Sequence, residues 1–226
     1  MENLYKELRS FFANDIDLTD LFDSEAIIWI DWREYDEDVV RYFNDMMAEP
    51  IDIEIVSNDK PYGDDIVLKN GNKELQIPYG DEQDRDMTIK YFNDFVQPDY
   101  EVRWFAESLG NDTLGFTVLS GAEWAKLDDE FGADTVRYYF EPIDFESDMF
   151  NLGMDEVFAL LALRENSEGV NTQFSTQLDW IRIINKEKTL AEQKENGQID
   201  LKQYMVAKKE LQQSKDDFIA AHGPMK

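Results

Sequence analysis

Apolar residues recur along this chain in two alternating rhythms, helical stripes and short strand-like runs. Leu4, Leu8 and Phe11 share one face of a predicted opening helix over Glu2–Phe12. Ile27-Ile28-Trp29-Ile30 has the length and residue types of a buried strand, and it breaks at once into the acidic, aromatic stretch Asp31–Asp38. Val39, Val40, Phe43, Met46 and Met47 then return at spacings of three and four, a helix whose positive N-terminal end is favoured by Asp36 or Asp38. Pro50 stops it. Ile51, Ile53 and Ile55 alternate with Asp52 and Glu54 in a half-buried strand, Ile66 and Leu68 mark a second, and Asn70-Gly71 turns the chain into a third over Glu74–Tyr79. These three form an antiparallel meander.

The pattern then repeats. Val40-Arg41-Tyr42-Phe43-Asn44-Asp45 matches Ile89-Lys90-Tyr91-Phe92-Asn93-Asp94 at an offset of 49, and Ile51-Asp52-Ile53 matches Tyr100-Glu101-Val102 at the same offset. Upstream, Asp31–Asp38 corresponds to Asp81, Glu82, Gln83, Asp84, Arg85 and Asp86. Two units, about 27–69 and 76–119, thus read as strand, acidic loop, helix, strand, strand. The expected fold is α+β: a largely antiparallel, continuous sheet built from two similar strand-helix-strand-strand units with their helices on one face and a pseudo-twofold axis between them. Ser120 and Glu123 make a capping box for a helix that Gly132 ends, and a short helix follows before Pro142.

Beyond residue 150 the rhythm changes. Met154–Leu163 is apolar enough to be expected buried, and a polar loop follows over 165–171. Phe174, Leu178, Ile181 and Ile184 stripe one long helix. Asn196-Gly197 breaks it, and Asp200 with Gln203 caps a last helix carrying Leu201, Tyr204, Met205, Leu211, Phe218 and Ile219. The two should form an antiparallel hairpin.

Charge sharpens this division. The 226 residues hold 50 acidic and 22 basic side chains, a formal net charge of −28. Residues 1–150 carry 38 acids and 12 bases, whereas 151–226 carry 12 and 10. The expected domains are therefore an acidic α+β domain, 1–150, and a near-neutral helical region, 151–226. Aromatics at 13% exclude disorder as the reason for the acidity.

Candidate chemistry is sparse. Cysteine is absent and the single histidine, His222, lies near the C-terminus, so thiol and histidine mechanisms are not expected. No phosphate loop, dinucleotide fingerprint or nucleophile elbow occurs. Asn14–Glu25 resembles a calcium loop but has Asp20 where glycine and Ala26 where glutamate are needed. Asp31, Asp36 and Asp38, or Asp81, Asp84 and Asp86, offer oxygen ligands to a divalent cation, and a carboxylate-metal hydrolase is one alternative reading. Solvated acidic faces are the commoner meaning of such runs, so no catalytic residue, metal or cofactor is assigned.

Trp32 and Tyr35 sit among the acids on the loop side of their strand. Aromatic anchors ringed by carboxylates suit a basic protein: rings bury area while acids pair with arginine and lysine and speed encounter. The expected partner-binding residues are Asp31, Trp32, Glu34, Tyr35, Asp36, Glu37 and Asp38, with Asp81, Glu82, Asp84 and Asp86 as a second contact. A negative surface disfavours nucleic acid and anionic lipid, and the lack of a leader or long apolar span fits a cytoplasmic protein. No motif assigns a family. The physical profile resembles that of bacterial immunity proteins, which block toxins, or phage proteins that mimic DNA; an inhibitor that neutralises a basic partner is the leading expectation. A structural adaptor acting through the C-terminal hairpin is the remaining alternative.

Overall fold

The structure, a computed structural model, describes residues 2–166 and 172–225. Its contacts divide the chain into two compact units, Met1–Leu152 and Gly153–Lys226. The class is α+β, with an α8–α9 hairpin (Phe174–Glu195 and Leu201–His222) in the second unit. The polar loop expected over 165–171 begins within a helix, and its residues 167–171 lie outside the described set.

In the first unit, α1 (Glu2–Phe12) and α2 (Leu18–Phe22) precede the repeats. Asp17, in the stretch resembling a calcium loop, is instead the cap of α2, bonded to the Asp20 backbone while the Asp20 side chain reaches back. The first repeat is β1 (Ile28–Asp31), α3 (Asp36–Asp45), β2 (Asp52–Ser57) and β3 (Asp64–Asn70). The second is β4 (Lys73–Gln76), which starts three residues ahead of the boundary expected at 76, followed by α4 (Arg85–Val96), β5 (Tyr100–Phe105) and β6 (Thr113–Ser120). After it come α5 (Gly121–Phe131), α6 (Ala133–Tyr139) and β7 (Phe140–Pro142).

The strands do not form the single sheet expected from the sequence. They split into β2-β3-β4 and β1-β6-β5-β7, antiparallel throughout. The physical reason is an exchange: each repeat keeps its own hairpin but lends its first strand to the other. Thus β1 pairs with β6, the last strand of the second repeat, and β4 pairs with β3, the last strand of the first. Gly115 makes the first of these possible, since a Cβ there would lie 2.8 Å from Ile27 Cγ2 and 3.3 Å from the Trp29 ring.

Residues on a twofold axis touch their own equivalents, and two pairs here do so at the sequence offset. Phe43 and Phe92 have ring centroids 5.6 Å apart, and Asp36 is bonded to Arg85. The equivalent Asn44 and Asn93 also do similar work: Asn44 accepts from Ile51 N–H, and Asn93 accepts from Val102 N–H, each anchoring the strand that follows its helix. Sheet β1-β6-β5-β7 has α3 and α4 on one face, where Phe43 meets Phe116. On the other face Ile27, Phe105 and Leu119 join Leu4, Leu8, Trp124, Leu127 and Val136 from α1, α5 and α6.

In the second unit, α7 (Met154–Asn166) departs from its expected burial. Its apolar residues surround the helix rather than forming one stripe, so packing covers Leu160 while Met154, Phe158 and Leu161 remain exposed. α8 and α9 pair through Trp180 on Phe218, a Lys215–Glu187 ion pair and Lys194 over the Tyr204 ring. His222 ends α9 with its ring against Phe218.

Both amides also donate, Asn93 to Ile143 O at 2.8 Å and Asn44 to Ile51 O at 3.0 Å, but Asn93 is buried and Asn44 half-buried. Asn93→Ala should therefore cost about 2–3 kcal/mol, against about 1 for Asn44→Ala. Urea unfolding at constant slope measures both.

Candidate functional site

The two acidic loops lie side by side, because both belong to helix N-termini that meet near the pseudo-twofold axis. Arg85, at the start of α4, crosses to the other repeat. Its Nε donates to Asp36 Oδ1 at 2.5 Å, one terminal nitrogen to Asp31 O at 3.0 Å, and the other to Glu34 O. Asp36 is 4% exposed and takes a further bond of 2.5 Å from the Thr88 hydroxyl, which is bonded in turn to Tyr79 Oη at 2.6 Å. Burial drives the Tyr79 phenol well above its ordinary range, so it remains a neutral hydrogen-bonding group.

Asp86, one residue on, is 1% exposed. Its carboxylate accepts the backbone N–H groups of Met149, Phe150 and Asn151 at 2.9, 2.8 and 3.1 Å. Burial raises its pKa above the ordinary carboxylate value, outweighing the opposing pull of those three donors. The segment so anchored delivers Phe150 beneath the loops. Trp32 meets the Phe150 ring edge-on at 4.8 Å, and the Arg85 guanidinium lies 5.4 Å from its centroid. Asn151 returns to Asp84 with bonds of 3.1 and 3.2 Å, while Asp84 also caps α4 by accepting from Met87 N–H.

The result is a cleft of about 640 Å³ whose walls include Trp32, Glu34, Tyr35, Glu82, Asp84 and Phe150. Trp32 is 53% exposed and Tyr35 69%. The eleven expected partner-binding residues thus separate into two groups. Asp36 and Asp86 are turned inward and bonded within the fold. Asp31, Glu34, Asp38 and Asp84 are half-buried: Asp31 accepts from Arg33 N–H, Glu34 from the Tyr42 hydroxyl, and Asp38 pairs with Arg41. The side chains of Glu37, Asp81 and Glu82 make no hydrogen bond or ion pair to any described residue, and Asp81 and Glu82 are exposed.

With Asp36 held by a guanidinium and Asp86 by backbone N–H groups, neither acidic triplet converges on a cation. Among the described residues no group of three or more histidine, aspartate or glutamate side chains is arranged to hold a metal. Also among them, no helix is long and apolar enough to cross a membrane. Sequence reasoning overlooked Arg85 and Phe150 as parts of the site. Arg85 had one legible signal, its place 49 residues after Asp36; Phe150, 64 residues beyond Asp86, had none.

Fold and site together define an internally duplicated α+β protein whose repeats present a joint acidic and aromatic cleft. Neither protein-family models, curated proteins nor solved structures yield a match.

Asp86→Asn keeps the size of the side chain but turns an amide NH₂ toward backbone N–H donors. It should cost about 2–3 kcal/mol, read from the urea midpoint, and loosen the segment carrying Phe150, read as faster amide exchange at Phe150 and Asn151.

Proposed function

We propose that this protein is an inhibitor that binds a basic protein and occludes its active or nucleic-acid-binding surface, in the manner of an immunity protein neutralising a bacterial toxin. The observation that carries this reading is the pair Trp32 and Tyr35, left exposed at the mouth of a cleft, with acids in the same two loops whose side chains make no hydrogen bond or ion pair to a described residue. Large rings left half or more exposed to water are suited to anchoring an interface. Glu37, Asp81 and Glu82 are available to pair with arginine and lysine, and the excess negative charge of residues 1–150 would steer a basic partner toward them. A phage-type mimic of DNA would use the same acids, with the aromatic anchors less central to its affinity.

A second reading, an adaptor acting through the helical unit, is favoured by the exposed stripe Met154, Phe158 and Leu161 on α7 and by exposed Leu201, Met205 and Val206 on α9.

Capture from a lysate of the source organism, washed at rising salt, tests the proposal. A single basic protein retained past about 0.3 M salt, where the Debye length is well under 10 Å, is the expected result. Glu34→Gln, Glu37→Gln and Glu82→Gln together should slow its association by about tenfold and flatten the salt dependence. Trp32→Ala should instead speed dissociation, at a cost of about 2 kcal/mol. Retention indifferent to these changes but lost with Phe158→Glu would transfer the function to the helical unit.

A further inference from the structure

The two repeats differ at one sheet edge. In the second repeat the outer edge of β5 is covered by β7, which pairs with it through Arg103–Pro142, Trp104–Glu141 and Phe105–Phe140. Asn93 fastens this addition, accepting from Val102 N–H in β5 and donating to Ile143 O just beyond β7. Counting back 49 residues places Glu54, Ile55 and Val56 of β2 as the counterparts of Arg103, Trp104 and Phe105. Among the described residues β2 has a strand on one side only, β3. The extension α5-α6-β7 follows the second repeat alone, so the described residues hold one such covering strand for two equivalent edges.

The backbone groups at the bare edge can be assigned. Asn58 N–H donates to Gly63 O one step beyond the β2–β3 register, and Ile66 O, opposite Ile55, accepts from Ile77 N–H on its far side. Alternation in an antiparallel ladder then gives Asp52, Glu54 and Val56 to the bonds with β3 and turns the N–H and C=O groups of Ile53, Ile55 and Ser57 outward. The second repeat agrees: Val102, the counterpart of Ile53, sends its N–H to Asn93, so Trp104, two residues on, faces β7.

This edge is six residues long, with no proline, lysine or bulge to blunt it. Asp52, Glu54 and Val56 are exposed on one face, and Ile53 and Ile55 are half-buried on the other. A strand laid beside it would set apolar residues next to the isoleucines and a basic residue next to Asp52, while Glu54 on the same face already holds Lys69 of β3 at 2.5 Å.

We propose that the free edge of β2 is a strand-addition site for an extended basic segment of the partner protein, which takes in the first repeat the position β7 holds in the second. The identity of the segment as basic rests on the functional reading above. A second copy of this chain is a poor occupant, since residues 1–150 carry 38 acids against 12 bases and two such bodies repel.

Amide exchange on the full chain, followed by NMR, tests this with three probes: a heptapeptide of alternating lysine and valine, the same peptide with threonine for lysine, and the lysine peptide N-methylated at alternate backbone nitrogens. The lysine peptide should slow exchange at Ile53 and Ile55 by tenfold or more and bind at least tenfold more tightly than the threonine peptide. The methylated one should lose both effects. Ile55→Pro, which removes an outward N–H without breaking a bond to β3, should also abolish the protection; the methylated peptide makes the same test on the unaltered protein. Binding of the lysine peptide with no slowing in β2 overturns the strand site and leaves the basic-partner reading standing. Equal protection by the threonine peptide overturns the basic segment, and protection of β2 that grows with protein concentration alone assigns the edge to a second copy and overturns the proposal.

Discussion

The buried ion pair between Asp36 and Arg85 is the contact on which the first unit's working surface depends. Taking two charges out of water is unfavourable unless each is fully bonded. Here the Arg85 guanidinium is shared among the Asp36 carboxylate and the carbonyls of Asp31 and Glu34, and Asp36 takes a further hydroxyl from Thr88. Because the two residues occupy equivalent places in the two repeats, one pair binds the β1–α3 loop to the start of α4. The cleft is the gap left between loops tied together at that point, with Phe150 as its floor.

That geometry also changes the meaning of the acidity. Two helix N-termini meet at the axis, each with a positive end, and Arg85 adds a full positive charge. Asp36, Asp84 and Asp86 answer this inner demand through a buried ion pair, a helix cap and three backbone N–H groups. Away from the axis Arg103, also buried, lies between Glu101 and Asp128 and over the Trp124 ring. Part of the negative charge is therefore structural, and the acids left for a partner are fewer than the total implies. Glu37, Asp81 and Glu82, in the two acidic loops, belong to that remainder.

Much of the fold was legible in the sequence because local periodicity carried it. The opening helix, the β2-β3-β4 meander, the capping box at Ser120 and the C-terminal hairpin all follow from spacing, turns and caps near in sequence. The offset of 49 also located the repeat. What it did not carry was which strand each repeat lends: β1 pairs with a strand more than eighty residues away, and no local signal distinguishes that partner from a neighbour. Burial within the acidic loops was equally hidden. Asp36 and Asp38 look alike along the chain, yet one faces Arg85 inside and the other pairs with Arg41 at the surface. In α7 the error had a different source, since apolar composition was read as burial although the apolar residues encircle the helix.

Asp36 and Arg85 act as one unit joining the repeats. A double-mutant cycle tests this most directly, comparing the urea unfolding of Asp36→Ala, Arg85→Ala and the combined variant. If the pair is the junction, either single change strands a buried partner, the combined change costs little more than one of them, and the coupling is about 2–3 kcal/mol. Strictly additive losses would show that the two residues stabilise the protein independently, and would contradict the account.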